Sequence, residues 1–272
     1  ISFTGSGDTG RQIASECGKQ LKKVSLEMGG KNAVIVMEDA DLNLAADGII
    51  WSAFGTSGQR CTACSRVIVH EAVKEKLEEL LLEKIKKLKV GNGLDETVQI
   101  GPIINKAGID KIKDYIAIGI EEGADLLVGG FEIKEGDCKY GHFFAPTIFT
   151  NVKDNMRIAQ EEIFGPVVSI IPVKNFEEAI EVNNSVAYGL SSAIFTKDVN
   201  RVFRASRDLD TGIVYVNAGT TGAEIHLPFG GTKGTGNGHR DSGIQALDVF
   251  TEWRSVYVDF SGKLQRAQID GN

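Results

Sequence analysis

The stretch SRVIVHEAVKEKLEELLLEKIKKLKVG, residues 65–91, carries the clearest signal for the fold. Residues 65–70 form a short apolar run that is typical of a buried strand. Residues 71–91 follow directly with helical periodicity, and Gly91 is typical of a helix end. One stripe of this predicted helix carries Val73, Leu77, Leu80, Leu81, Ile85 and Leu88. The stretch therefore predicts a strand followed at once by a helix that packs against it.

The same alternation of strands and helices continues on both sides of this stretch. Strands are predicted at residues 1–4, 33–37, 125–130, 143–152, 166–173, 191–196 and 212–217, and further helices at 11–23, 105–124, 175–185 and 198–210. Such alternation is typical of an α/β fold with a mainly parallel sheet. The end of the chain differs, because WRSVYVDFS, residues 253–261, predicts a lone strand. We expect it to pair with another element or with another subunit.

The composition limits the classes of partner. The 272 residues carry a net charge of −7, which argues against a nucleic-acid-binding protein. The most apolar neighbourhood, residues 23–42, is interrupted by Glu, Lys and Asp, so no membrane span is predicted. No signal peptide is visible, and four cysteines are too few for a disulfide framework at this length. These features predict a cytoplasmic protein with no membrane partner.

A glycine-rich loop, GSGDTG, follows the first predicted strand and precedes a helix. Gly5, Gly7 and Gly10 match the G-x-G-x-x-G pattern of dinucleotide-binding loops, and Glu27 lies about where a ribose-binding acid could sit. Free N–H groups at a helix start would suit an anionic pyrophosphate. The alternative is a tight turn whose glycines only accommodate positive φ. The pattern alone leaves both interpretations open.

Two cysteines three residues apart, Cys61 and Cys64, allow several interpretations. A zinc site needs two further ligands, and neither the other cysteines nor the scattered histidines supply a matching pair, so no metal is predicted. A thioredoxin-type pair would open a helix, whereas here the pair leads into a strand. Two small buried residues remain an alternative. A nucleophilic role for Cys61 is the fourth.

The surroundings of Cys61 favour the nucleophile. Gly58 and Gln59 belong to a flexible approach on which a backbone N–H can point at a reacting oxygen, and Arg60 could favour a thiolate. A carboxylate nearby could activate water to clear a thioester. Glu27, in LEMGGKN, lies between an apolar stretch and two glycines, an unusual place for a carboxylate without a function. A helix cap or a salt bridge is the structural alternative for Glu27.

Four motifs in order complete a pattern: LEMGGKN (26–32), GQRCTA (58–63), EEIFGPV (161–167) and PFGGTKGTGNG (228–238). Together they resemble the aldehyde dehydrogenase superfamily over essentially the whole chain. The resemblance implies an aldehyde-dehydrogenase-like catalytic domain with a mainly parallel sheet, plus an incomplete Rossmann-like cofactor domain. The implied domains are a partial cofactor-binding domain at 1–29, a catalytic domain at 30–234, a return to the cofactor domain at 235–251, and an oligomerisation strand and tail at 252–272.

The resemblance also implies the roles of the site residues. Cys61 is implied as the nucleophile that attacks an aldehyde, and Glu27 as the base that activates the deacylating water. Glu162 matches the glutamate that holds the nicotinamide-side ribose, and Phe164 matches the aromatic residue beside it, in a cofactor that is NAD or NADP. Gly5 and Ser6 match the loop beside the cofactor pyrophosphate, in the family's own variant of the dinucleotide fold, so Glu27 is not the ribose acid. Cys64 has no implied role beyond packing.

Part of the family's pattern lies outside this sequence. The chain begins at Ile1 in what resembles the middle of a protein, and we expect its beginning to be missing. The implied missing part carries the first half of the cofactor sheet and an asparagine that is a second oxyanion donor. Losing one such donor typically lowers the rate on the order of 100–1,000-fold. A homo-oligomer, dimer or tetramer, is implied through the terminal strand.

The implied substrate is an aldehyde. The segment TTGAEIHLPFGGTKGTGNGHRDSG resembles enzymes that oxidise semialdehydes bearing a carboxylate, of the aminoadipate and 2-oxoglutarate semialdehyde type, and Arg60 could meet that carboxylate. Two alternatives to an aldehyde dehydrogenase remain: a truncated, non-catalytic fragment that acts only in oligomerisation or partner binding, and a cofactor-independent thiol esterase that uses Cys61 and Glu27.

Overall fold

A seven-stranded sheet lies at the centre of the computed structural model, which describes residues 1–264. The chain forms β1 (Ser2–Thr4), β2 (Ser25–Glu27), β3 (Asn32–Val36), β4 (Cys64–His70), β5 (Asp125–Val128), β6 (Glu132–Ile133), β7 (Phe143–Phe144), β8 (Thr147–Thr150), β9 (Val167–Val173), β10 (Tyr188–Gly189), β11 (Ser191–Phe195), β12 (Ile213–Val216) and β13 (Thr232–Lys233). The helices are α1 (Gly7–Lys19), α2 (Leu42–Phe54), α3 (Glu71–Ile85), α4 (Lys106–Glu121), α5 (Arg157–Gln160), α6 (Phe176–Asn184), α7 (Val199–Asp208) and α8 (Leu247–Phe250), with 3₁₀ turns at Gly136–Tyr140 and Ile244–Ala246.

The central sheet has the strand order β12-β11-β3-β4-β9-β8-β5. Every neighbouring pair in it is parallel except β5 with β8, which is antiparallel. Each residue of the interior strand β3 is buried, as expected of a strand covered on both faces. The mainly parallel α/β fold predicted from the sequence is confirmed.

Helices cover both faces of this sheet and divide the core in two. On one face α2 and α3 pack with Val34, Val67 and Val69. On the other face α4 and α6 pack with Ile35 and Ile68. Neighbouring strand residues therefore alternate between the two cores, as the two-residue period of a strand requires.

Three small strand pairs lie outside the central sheet, and two of them position the site. β1 pairs with β2 in parallel, and β10 pairs with β13 antiparallel. The loop that contains β13 also reaches β2, through a bridge between Glu27 and Gly236 and a hydrogen bond of 2.7 Å from the Met28 N–H to the Thr235 carbonyl. The motif at 228–238 thus packs beside the motif at 26–32, although 200 residues separate them.

Several elements differ from the sequence-based expectation: α1 spans Gly7–Lys19 rather than 11–23, and β2, β6, β10, β13, α5 and α8 were not predicted. Three further differences have a clear physical reason. The helix predicted over 71–91 ends at Ile85, and residues 86–88 continue as a turn. The strand predicted over 143–152 is divided into β7 and β8, because Pro146 has no N–H for a ladder. Helix α2 was not predicted: apolar side chains surround it rather than lining one stripe, although Asp41 caps its start through the N–H groups of Asn43 and Leu44.

The terminal segment has no strand partner within the described residues. Residues 251–260 form no ladder, and Trp253, Tyr257 and Phe260 are almost fully exposed. Pairing with another element among residues 1–264 is therefore not seen, while pairing with another subunit stays a prediction. The last part of the predicted oligomerisation segment, residues 265–272, lies outside the described residues.

No helix among residues 1–264 combines the length and apolar character needed to cross a membrane.

Candidate active site

Cys61 lies in the loop between α2 and β4, at the carboxyl end of α2. The loop turns sharply, with positive φ at Ser57 and Gly58. Gly58 has no room for a side chain, since a Cβ there would lie 1.9 Å from the Gly165 carbonyl oxygen. Burial raises the pKa of the Cys61 thiol, the nearby backbone N–H of Thr62 lowers it, and the negative charges of Glu27 and Glu162 raise it again.

Glu27 is the last residue of β2 and is 3% exposed. Neither oxygen of its carboxyl group has a hydrogen-bond partner among the described residues. Burial raises the pKa of Glu27 to about 8, assisted by the negative charge of Asp241 and opposed by Arg240. Neither a helix cap nor a salt bridge explains this carboxyl group. An unpartnered buried carboxyl group with a pKa near neutrality fits a general base.

Glu162 and Phe164 lie just after α5. Glu162 Oε1 accepts a hydrogen bond of 3.1 Å from the Gly30 N–H, and burial raises the pKa of its carboxyl group. Gly29 packs against the same carboxyl group, because a Cβ there would lie 2.3 Å from Glu162 Oε2. Phe164 holds an unfavourable positive φ of 61° and keeps its side chain partly exposed. Backbone strain of this kind persists where the surroundings impose it, and it is frequent at functional sites.

The glycine-rich loop caps α1. The Ser6 hydroxyl accepts from the Thr9 N–H, and the Gly5 N–H donates to the Glu27 carbonyl at 3.0 Å. None of the three glycines of the G-x-G-x-x-G pattern has positive φ. The alternative based on positive φ is therefore wrong. Close packing explains two of the three glycines, because a Cβ at Gly5 would contact the Phe3 ring and a Cβ at Gly10 would contact the Met28 sulfur.

One cleft of about 480 Å³ brings most of the predicted site residues together. Cys61, Glu162, Phe164, Gly5 and Ser6 all line it. Glu27 does not line it, but the Glu27 carboxylate is close enough for its charge to act on the Cys61 thiol. The six residues chosen from the sequence therefore surround one centre, although they come from four separate parts of the chain.

Several residues around this centre were not predicted. Lys111 lines the cleft from α4 and donates to the Glu162 carbonyl at 2.8 Å, and Gln59 braces the loop by bonding both Pro102 and Ile104. Lys31 is buried, and burial lowers its pKa to about 7, with the Arg66 charge adding to the effect. Lys31 belongs to the LEMGGKN motif and Gln59 to the GQRCTA motif, but neither motif shows these contacts. The approach to Cys61 that was predicted to be flexible is held by Gln59.

Cys64 occupies a different environment from Cys61. It opens β4, is fully buried, and donates through its thiol to the Arg66 carbonyl at 3.4 Å. Burial raises its pKa to about 12, so the thiol stays protonated and unreactive. Among residues 1–264, no three His, Cys, Asp or Glu side chains are grouped so that they could hold a metal ion.

Comparison with known proteins identifies the family. The model of the aldehyde dehydrogenase family matches residues 1–256, so the chain belongs to that family. It is 43% identical to alpha-ketoglutaric semialdehyde dehydrogenase of Bacillus subtilis, over 95% of this chain and 53% of that protein.

Solved structures agree with this assignment. Betaine aldehyde dehydrogenase from Staphylococcus aureus in complex with NAD⁺ has a TM-score of 0.88 and 38% identity, covering 91% of this chain and 49% of that one. A putative aldehyde dehydrogenase from Burkholderia cenocepacia has a TM-score of 0.94 and 34% identity, covering 98% of this chain and 54% of that one. The chain spans about half the length of the proteins it matches.

Proposed function

We propose that this chain carries the catalytic centre of an NAD(P)-dependent aldehyde dehydrogenase, in which Cys61 is the nucleophile and Glu27 the base. The observation that carries the proposal is the shared cleft, with the Cys61 thiol and the Glu162 carboxyl group on its wall and the unpartnered Glu27 carboxyl group behind Cys61. Two carboxyl groups and one reactive thiol fit covalent catalysis followed by hydrolysis.

The residues of the cleft fit a dinucleotide. The Glu162 carboxyl group lines the cleft and uses one oxygen on the Gly30 N–H, which leaves acceptor capacity for ribose hydroxyl groups. Gly5 and Ser6 line the same cleft at the start of α1, where the positive end of a helix favours phosphate. Glu162, Gly5 and Ser6 would hold the cofactor, with Phe164 beside them. The bound nicotinamide would supply the hydride acceptor for the oxidation.

The chemistry of the protein then runs through Cys61 in two steps. The thiolate adds to the aldehyde carbon and forms a tetrahedral adduct, whose oxyanion the Cys61 backbone N–H would stabilise. After loss of hydride the acyl group remains on sulfur as a thioester. Glu27 takes a proton from water, the water attacks the thioester, and the carboxylic acid leaves with the thiol restored.

A semialdehyde that carries a carboxylate is the substrate class we favour. Arg60 precedes Cys61 and lines the same cleft, as does Lys111, so two cationic residues contribute to its wall. They would attract a carboxylate and repel a quaternary ammonium group. Aromatic cages recognise quaternary ammonium ligands, and Phe164 is the single aromatic residue of the lining among residues 1–264. The Bacillus subtilis relative named for a semialdehyde is in line with this choice.

The organisation into domains supports the cofactor side of the proposal. β1 and β2 form a sheet of their own, apart from the seven-stranded sheet. We therefore assign residues 1–29 and 235–251 to a cofactor-side domain and 30–234 to the catalytic domain. NAD is the cofactor we expect first, because the Staphylococcus aureus enzyme was solved with NAD⁺.

The test is formation of reduced nicotinamide by the full chain with 2-oxoglutarate semialdehyde and NAD⁺ or NADP⁺. We expect absorbance of the reduced cofactor with the parent and none with Cys61→Ser. Formation that survives in Cys61→Ser would exclude Cys61 as the nucleophile. No formation by the folded parent would favour the alternative function, a non-catalytic module, for this chain. Ester cleavage without any cofactor-dependent oxidation would favour the thiol esterase.

A further inference from the structure

The Asn32 side chain joins the Cys61 loop to the central sheet. Asn32 opens β3 and is buried. Its Nδ2 group donates to the Cys61 carbonyl at 2.7 Å and to the Ala63 carbonyl at 2.9 Å. Its Oδ1 atom accepts from the Ser191 N–H on β11 at 3.1 Å. One amide group thus ties three segments together, and two of its bonds end on the loop that carries the nucleophile.

The bond to the Cys61 carbonyl fixes an entire peptide unit. A peptide group is planar, and the one between Cys61 and Thr62 is trans, so its C=O and its N–H point in opposite directions. Holding the Cys61 carbonyl on Asn32 therefore also sets the direction of the Thr62 N–H. Gly30 closes off the same carbonyl, because a Cβ at that position would lie 2.7 Å from it. The peptide has little freedom to rotate.

The direction of the Thr62 N–H affects the nucleophile. Burial and the charges of Glu27 and Glu162 all disfavour the Cys61 thiolate, and the backbone N–H groups of Thr62 and Cys61 act against them. Arg60 and Lys111 are the cationic side chains of the same cleft. A backbone N–H held in place stabilises an anion at no cost of reorganisation, because it cannot turn away as a water molecule would.

We propose that Asn32 is a positioning residue for the nucleophile: its amide holds the Cys61 carbonyl so that the Thr62 N–H faces the Cys61 sulfur and stabilises the thiolate. The proposal rests on the proposed function of Cys61. It predicts that loss of the Asn32 amide changes the ionisation of a thiol that Asn32 does not touch.

The experiment measures the rate of alkylation of Cys61 by iodoacetamide against pH, with peptide mass mapping to separate Cys61 from Cys17, Cys64 and Cys138. It uses the full chain and needs no cofactor. Asn32→Leu keeps the approximate volume and removes both donors. We expect the midpoint of the profile to rise by about one pH unit and the rate at pH 7 to fall about tenfold. The plateau at high pH should remain, because the ionised thiol is still accessible.

Two further variants make the experiment decisive. Asn32→Ser is smaller, leaves a polar side chain at this position and does not reach the Cys61 carbonyl, so it is expected to fold and to show the same shift if Asn32→Leu does not fold. Asn183→Ser is the matched control, because Asn183 is also a buried amide but bonds Ser192 and Asn184. Its midpoint should equal that of the parent.

The possible outcomes separate the two proposals. A midpoint that stays at the parental value in both Asn32 variants, with Cys61 still labelled first, would overturn the role of Asn32 and leave the proposed function intact. A parent in which Cys61 is no more reactive than the buried cysteines would instead contradict the proposed function. An equal shift of the midpoint in Asn183→Ser would show that any loss of a buried amide in the core changes the ionisation of the Cys61 thiol, which would overturn the specific role of Asn32.

Discussion

Under the proposed mechanism, the ionisation of Glu27 controls when the candidate site can hydrolyse a thioester. A carboxyl group acts as a base only when ionised, and burial holds the pKa of Glu27 at about 8. At pH 7 most of the molecules therefore carry a neutral Glu27. The same shift links activity to stability: the folded state prefers the protonated form, so the contribution of Glu27 to stability is lost as pH rises through about 8.

The pH dependence of turnover follows from this pKa. With 4-nitrophenyl acetate as an ester substrate, at concentrations where release of the acetyl group limits turnover, we expect the steady-state rate of the parent chain to rise with pH and to level off above about 8, because Glu27 becomes ionised. Glu27→Gln cannot ionise and should show a low rate without that rise. The measurement is the rate of 4-nitrophenolate release between about pH 6 and pH 10, which brackets the Glu27 pKa of about 8. A rate that falls as pH rises through 8 would contradict the role of Glu27.

Arg66 connects the elements that hold the site. It lies on β4, is fully buried, and donates to the carbonyls of Lys31, Val182 and Asn183 at 2.8–3.0 Å. Val182 and Asn183 are in the last turn of α6, where unpaired carbonyls form the negative end of the helix. The guanidinium group therefore caps the carboxyl end of α6, and its positive charge lies at the negative end of that helix. Its bond to the Lys31 carbonyl also holds the segment that follows Glu27.

Replacing Arg66 should destabilise the fold. Arg66→Met removes the donors of three buried carbonyls, and an unsatisfied buried polar group costs about 1–3 kcal/mol. We expect a loss of at least about 2 kcal/mol in the free energy of unfolding, measured by urea denaturation. Arg66→Lys, the matched control, retains the charge but not the fork and should lose less. A loss of under about 0.5 kcal/mol in the free energy of unfolding for Arg66→Met would show that these three hydrogen bonds do not stabilise the fold.

The sequence predicts elements better than the connections between them. The strands β3, β4 and β9 were predicted from short apolar runs and the helix α4 from its helical character, whereas α2 was missed because its apolar residues surround it. Cys61, Glu27, Glu162 and Phe164 were found through motifs. Asn32 and Arg66 were not found, because their partners lie up to 159 residues away and a motif does not show which carbonyls a side chain meets.

Among residues 1–264, the terminal segment forms no ladder with another element. Trp253, Tyr257 and Phe260 are exposed, and exposed apolar residues on an unpaired strand favour pairing with another chain. We expect this segment to join a second copy of the protein as a strand. The predicted dimer or tetramer would then depend on backbone hydrogen bonds that residues 253–261 donate.

A proline in this segment tests that dependence. Val256→Pro removes one N–H, and a ladder cannot form normally across proline. We expect the oligomer to weaken or dissociate in sedimentation velocity, with the circular dichroism of the central fold retained, because residues 251–260 form no ladder within the chain. Val256→Thr keeps the N–H and a β-branched shape and should assemble like the parent. An unchanged oligomer in both variants would argue against strand pairing here.

The central claim is that Cys61 carries an acyl group that Glu27 helps to remove. The most direct measurement is peptide mass mapping of the full chain, quenched soon after mixing with 4-nitrophenyl acetate, because this reaction needs no cofactor. We predict an acetyl group on Cys61 that is transient in the parent, persistent in Glu27→Gln and absent in Cys61→Ser. An acetyl group on another residue, or an adduct on Cys61 that Glu27→Gln clears as fast as the parent, would contradict the account.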